Sequence, residues 1–260
     1  MSAAAAPSRG SATAWPIVGA IAGAWVLAVV AEASGHGAAL HHDTLIEGGL
    51  PFWAALCLFL VAWQAMTVAM MLPSSLPTVR LFNRMSAAAP HAGRAQATFL
   101  GAYLLIWTFF GAFAFISDLG IHRTVDNWPW LAEHSWLIAG GTLVLAGAFQ
   151  FSSLKEACLQ QCRHPAAFLL RFYRRGAAAA LRTGLHHGLF CLGCCWALML
   201  VAFAAGVANL AWMAAFTAIM VFEKTGPGGD RGAEPIGLGL LVLGAVVLVH
   251  PPWLGSIFAA

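Results

Sequence analysis

Long uncharged runs alternate along the chain with short polar segments, and a membrane helix needs about 20 largely apolar residues rising 1.5 Å each. Seven runs approach that description: Trp15 to Ala31, Pro51 to Leu72, Thr98 to Ser117, Ser135 to Leu154, Thr183 to Ala205, Val207 to Phe222 and Ile236 to Trp253. The stretch from Thr183 to Phe222 holds no acid or base. As one helix it would be about 60 Å long, twice the hydrocarbon thickness, so it must be a hairpin. Gly206 and Asn209 mark its turn, because both leave a helix more readily than their neighbours. The pattern predicts an all-α fold, a polytopic membrane bundle of about seven transmembrane helices.

Composition strengthens that reading. Of 260 residues 60% are apolar and 9% charged, with a mean hydropathy of +0.79. Soluble domains carry roughly 25% charged residues, and the shortfall here runs along the whole chain. The lipid bilayer is therefore the first partner. A net charge of +3, with no basic cluster interleaved with aromatics, predicts no nucleic-acid partner.

Lys and Arg concentrate in cytoplasmic segments of membrane proteins. With seven spans and a cytoplasmic N-terminus, Arg123 alone of the 13 basic residues falls outside. The opposite orientation reverses that count and is rejected. The first run also has a signal-peptide character, with Arg9 before an apolar core and Ala31-Glu32-Ala33 after it; cleaved or retained, it leaves the next segment outside. The stretch Lys155 to Arg182 mixes Phe168, Leu169, Leu170, Phe172 and Tyr173 with four of its arginines and predicts a basic amphipathic helix lying on the inner surface. No second domain and no fixed-period repeat is present: residues 1–260 read as one membrane domain.

The cysteines carry the chemistry. Cys158 and Cys162 are spaced i, i+4, and Cys191, Cys194 and Cys195 form C-x-x-C-C within a membrane helix. Residues three and four apart share a helical face, so His187, Cys191, Cys194 or Cys195, and Met199 make one stripe of nitrogen and sulfur donors. Topology puts both cysteine groups in the cytoplasmic leaflet. The second span brings Met66, Met70 and Met71 to the same leaflet before Pro73, which is expected to end the helix, and Glu223 closes the sixth span there. Imidazole and thiolate suit zinc and copper, and thioether adds a preference for Cu(I). Five thiolates exceed one tetrahedral or trigonal site, so either two ions bind or some cysteines act as transfer ligands. Each group also has a plain structural reading: methionines fill gaps, Gly184 and Gly188 bring helices close, Glu223 and Lys224 form an interfacial ion pair, and Cys57 is a buried packing residue.

The segments Met66 to Pro73, Lys155 to Arg163, and Gly184 through His187, Gly188, Cys191, Cys194, Cys195 and Trp196 to Met199, followed by Glu223-Lys224, resemble a bacterial family known as predicted metal-binding integral membrane proteins, a domain of unknown function. The resemblance covers about residues 36–224 and leaves the last span, 236–253, outside the motifs. It implies metal binding in a multi-pass protein of the bacterial inner membrane, and no particular substrate, reaction or partner.

A weaker cluster lies on the outer face: His36, His41, His42, Asp43 and Glu47 in one loop, and Asp118, His122, Asp126, Glu133 and His134 in the next. Histidine and carboxylate suit Zn(II), Cu(II) or Ni(II), although solvated loops have the same composition.

The expected function is metal handling: a soft or borderline ion, copper first and zinc second, is bound, delivered or transported through Cys158, Cys162, Cys191, Cys194, Cys195, Met66, Met70, Met199, His187 and Glu223. A soluble metal carrier or a larger membrane complex is the expected partner. The spans hold Gln64, Gln150 and a few threonines and no acid or base marking an ion path, and no phosphate-binding G-x-x-x-x-G-K-[ST] motif occurs, which favours binding or delivery over autonomous transport. The alternatives are a membrane thiol oxidoreductase, disfavoured because the cysteines face the reducing cytoplasm, and a structural subunit.

Overall fold

A computed structural model describes residues 15–35, 42–89, 91–204 and 209–249, and all the regular elements among them are helices. In chain order they are α1 (Trp15–Ala33), α2 (His42–Glu47), α3 (Phe52–Ser86), α4 (Ala92–Asn127), α5 (Pro129–Glu133), α6 (Trp136–Phe149), α7 (Ser153–Arg163), α8 (Pro165–Phe172), α9 (Ala177–Ala204), α10 (Leu210–Thr225) and α11 (Ala233–Val249). Six of the seven apolar runs are helical over nearly all of their described part, and the run Ser135 to Leu154 crosses the break between α6 and α7. Four helices, α1, α3, α4 and α9, are long and apolar enough to cross a membrane, and α6 with α7 makes a fifth if the pair, bent by 65°, is one span. The 17-residue α11 is apolar but shorter.

The expectation that Pro73 ends its helix is overturned: α3 continues through Pro73 and Pro77 to Ser86. Proline has no N–H, so Pro73 leaves the carbonyl of Ala69 without its helical donor. The indole of Trp25, on α1, donates to that carbonyl at 3.1 Å. Ser74 Oγ donates to the Met71 carbonyl at 2.9 Å. In an apolar environment a freed carbonyl must find such a substitute, and here the neighbouring helix supplies one.

The core is built where α3, α4, α9 and α10 meet. α3 and α4 run antiparallel: Phe82 stacks on Phe99 with centroids 4.4 Å apart, and Phe59 stacks on Phe115 at 4.9 Å. Between them Trp63 Nε1 donates to the Trp107 carbonyl at 2.9 Å, an approach that only a glycine at 111 allows, because a Cβ there would lie 2.6 Å from the indole. α9 runs parallel to α4. A Cβ at Gly184 would collide with the Phe99 carbonyl, and one at Gly188 would lie 2.9 Å from Ile106, so the close contact predicted from this glycine pair is present. Phe203 packs edge-on against Phe59 at 5.6 Å, which sets α9 antiparallel to α3. Away from this core α6 and α11 are antiparallel partners, with Gly140 and Gly147 facing Gly244 and Gly237.

The amphipathic helix expected over 155–182 is divided. α7 ends at Arg163, α8 starts on Pro165, and α9 begins at Ala177 after Gly176, which has φ +102°. A proline at the start of a helix and a glycine at positive φ are the ordinary reasons for such breaks. α7 is not a surface helix: Lys155, Cys158, Leu159 and Cys162, spaced i, i+3, i+4, i+7, form a buried stripe.

Candidate metal centre

Close packing of Gly184 and Gly188 on α4 turns one face of α9 inward, and His187, Cys191, Cys194, Cys195 and Met199 are all buried on it. The hydroxyl of Ser152 caps α7 by accepting from the Lys155 N–H at 3.1 Å, and the buried stripe of α7 then lies against α9. Cys162 Sγ comes to 4.0 Å from Cys194 Sγ, and Cys194 Sγ is 3.4 Å from Cys195 Sγ. Cys195 follows Cys191 by one turn on the same buried face of α9. The sulfurs therefore run in the order Cys191, Cys195, Cys194, Cys162, from the centre of the bundle to α7. All six cysteines are free thiols.

The Cys191 end is polar. Lys224 Nζ donates to Cys191 Sγ and to Ser74 Oγ, each at 3.1 Å. The Tyr103 hydroxyl lies 3.1 Å from the same sulfur, and Ser75 Oγ donates to that hydroxyl at 3.3 Å. Three helices besides α9 thus converge on Cys191: α3 through the serines, α4 through Tyr103 and α10 through Lys224.

The expected Glu223–Lys224 ion pair does not form, because consecutive helical residues point in different directions. Glu223 instead accepts both of its hydrogen bonds from Lys155 Nζ, at 2.9 and 2.8 Å, with the two side chains 0 and 1% exposed. Arg163 adds hydrogen bonds to the carbonyls of Glu223 and Gly226 and an ion pair with Asp230 at 3.7 Å. These contacts fix α7 to the end of α10 and so hold Cys162 on Cys194. Lys155, close to Cys158 in sequence, is occupied by Glu223, and the lysine that contacts a thiol is Lys224.

The remaining predicted residues take several positions. Met66, Met70 and Met199 are buried. The antiparallel register of α3 and α9, with Ser75 at the level of Cys191 and Trp63 near Phe203, places these methionines between the cysteine layer and the aromatic layer. Met220 lies one turn before Lys224 on the buried face of α10. The His187 ring lies between Phe99, Tyr103 and Phe168, at 5.8, 5.3 and 5.6 Å, and its Nε2 has no hydrogen-bond partner. Cys158 packs against the backbone of α9, where a Cβ at Gly193 would lie 2.5 Å from its sulfur. Cys57 is exposed, not buried as expected, and shares the outer side of α3 with Trp53 and Val61.

Of the outer cluster, His36 and His41 lie outside the described residues, and His42 and Asp43 open α2. His122 Nδ1 is 3.6 Å from the Asp118 carboxylate one turn earlier, and His134 stacks on Trp130 at 4.5 Å.

No three His, Cys, Asp or Glu side chains among the described residues converge as a metal cage. The sulfurs are arranged as successive pairs. Two sulfurs sharing an ion at about 2.3 Å each lie roughly 3.8 Å apart at a tetrahedral angle and roughly 4.6 Å apart when linear. The Cys162–Cys194 separation of 4.0 Å falls within those limits, and the Cys194–Cys195 separation of 3.4 Å is a few tenths below them. Paired thiolates are a donor set for a soft ion.

A family model described as PpoB2, copper chaperone, matches residues 60–247. The match begins within α3 and ends within α11, so it covers every residue of the sulfur string together with Tyr103, Lys155, Glu223 and Lys224. No curated protein and no solved structure matches the chain.

Proposed function

The chain belongs to the PpoB2 copper chaperone family, and from that premise we propose that it is a multi-pass protein of the bacterial inner membrane that holds copper between cysteine sulfurs of α9 and α7 and passes it to a soluble carrier or a larger membrane complex. The observation that carries this reading is the approach of Cys162 to Cys194, two thiols from different segments brought to 4.0 Å in a buried layer. Packing alone does not call for thiols of two separate segments to approach this closely, and a site that holds Cu(I) between a pair of sulfurs does.

Seven crossings fit the helix directions: α3 is antiparallel to α4 and α9, α4 and α9 are parallel, and α6 and α11 are antiparallel, as alternation requires; the distribution of Lys and Arg favours the N-terminus in the cytoplasm. In that topology the cysteine layer lies in the inner leaflet.

Cys191, Cys194, Cys195 and Cys162 bind the ion in pairs. Because each interior cysteine has a neighbour on either side, an ion moves along the string by exchanging one sulfur of its pair for the next. Cys162, on α7, is the end from which a partner receives it, and Cys158 stands beside it. Met66, Met70 and Met199 supply thioethers in the layer above, and His187 steadies α9 within its aromatic surround. Glu223 serves the site by anchoring Lys155 and α7. Copper is preferred to zinc because the family is one of copper chaperones and the sulfurs occur in pairs. Residues 1–260 form one membrane domain in this reading.

The test is copper content. Protein purified in detergent under reducing conditions and loaded with Cu(I) should retain stoichiometric copper by elemental mass spectrometry, and Cys162→Ser and Cys194→Ser should each reduce it. Full copper content in both variants would exclude a site shared by α7 and α9.

A further inference from the structure

Lys224 is a buried cation whose hydrogen-bond acceptors are a thiol and a serine hydroxyl, with no carboxylate among them. The other buried lysine, Lys155, is neutralised by Glu223, and its pair adds no net charge to the layer. Tyr103 and Ser75 bring hydroxyls to the Cys191 end, and His187 faces three aromatic rings one turn away. The sulfur site therefore contains one lysine amine beside thiols that lose protons when metal binds. Charge left uncompensated in a buried site is strongly unfavourable, so the net charge of the loaded site decides which ions it accepts.

Resting on the copper-binding reading above, we propose that Lys224 is a specificity-determining residue that selects monovalent d10 ions, Cu(I) and Ag(I), over divalent Zn(II) and Cd(II). Two thiols binding a monovalent ion release two protons to solvent and give a dithiolate complex of charge −1. With the Lys224 ammonium the layer is then neutral. A divalent ion on the same two sulfurs gives a neutral complex and leaves the ammonium uncompensated. A third thiolate would correct this, but the sulfurs lie in a string of pairs, and no three such donors among the described residues converge. Charge and geometry thus act together, and both depend on residues that coordinate nothing.

The experiment compares Ag(I), Cu(I), Zn(II) and Cd(II) binding to the purified full-length chain in detergent, by competition against chelators of known affinity, in the wild type, Lys224→Gln and Lys224→Arg. Wild type should take Ag(I) and Cu(I) and exclude the divalent ions. Lys224→Gln should shift the Cd(II)-to-Ag(I) affinity ratio toward Cd(II) by on the order of tenfold or more, and Lys224→Arg, which keeps the charge, should restore the wild-type ratio. Equal affinity of wild type for Ag(I) and Cd(II), or an unchanged ratio in Lys224→Gln, overturns the role of Lys224 while leaving copper binding intact. Absence of any thiolate-bound ion in wild type overturns both this inference and the function it rests on. If Lys224→Gln does not fold, the wild-type ratio and that of Lys224→Arg decide the matter: the proposal requires strong monovalent preference in both.

Discussion

Cys162 on α7 and Cys194 on α9 are separated by 31 intervening residues and meet with their sulfurs 4.0 Å apart in the interior of the bundle. Nothing in either helix alone produces that approach. It depends on Lys155, one turn from the start of α7, reaching Glu223 at the end of α10, and on Arg163 fastening the other end of α7 to the loop beyond. The approach of the two thiols is therefore supported by an ion pair that touches no sulfur.

That dependence makes Lys155→Met a strongly destabilising change. It leaves a buried carboxylate unpaired, at a cost of about 3–5 kcal/mol, whereas the double variant Lys155→Met, Glu223→Leu should recover most of the loss because both charges are removed. Thermal unfolding in detergent measures the stability, and copper content should fall in the single variant together with it. A single variant as stable as wild type would mean the pair is dispensable.

The proline-interrupted α3 gives a second prediction. Trp25→Phe removes the donor to the Ala69 carbonyl and should cost roughly 1–3 kcal/mol, the penalty of a buried carbonyl left unsatisfied. In a Pro73→Ala background the backbone N–H returns, and the same Trp25→Phe change should cost distinctly less. Additive effects in this double-mutant cycle would contradict the compensation described here.

Glycine contacts separate interface positions from outward-facing ones. Gly184→Ala drives a methyl into the Phe99 carbonyl and should destabilise the bundle by about 1–3 kcal/mol, whereas Gly101→Ala, with open space around it, should be neutral or stabilise α4 by up to about 1 kcal/mol. Similar effects at the two positions would place the α4–α9 contact elsewhere.

Apolar runs, the G-x-x-x-G contact and the two cysteine groups were all legible in the sequence, because helical periodicity and spacing determine which residues share a face. The partners of the charged residues were not. Glu223 and Lys224 are adjacent in sequence and diverge by about 100° around α10, so each finds a partner on a different helix. Ser74, Ser75 and Tyr103 carried no spacing signal, since their role arises only where α3 and α4 cross α9. The continuation of α3 past Pro73 was hidden for a related reason: the group that makes it possible, Trp25, lies on another helix.

Exposed and buried thiols should also behave differently. Cys57→Ser should leave copper content unchanged, and Cys158→Ser should preserve it while Cys162→Ser does not, because Cys158 packs on the Gly193 backbone and not in the sulfur string. Elemental analysis of the three variants side by side makes the distinction, and a loss confined to Cys158→Ser would invert the roles assigned to the α7 cysteines.

The most direct test of the central claim is X-ray absorption at the copper edge of the Cu(I)-loaded protein. Copper held by the string should show a shell of two sulfurs at about 2.3 Å, and that shell should change in Cys194→Ser, which interrupts the string at its middle. A shell of nitrogen and oxygen, or a sulfur shell indifferent to Cys194, would contradict the account.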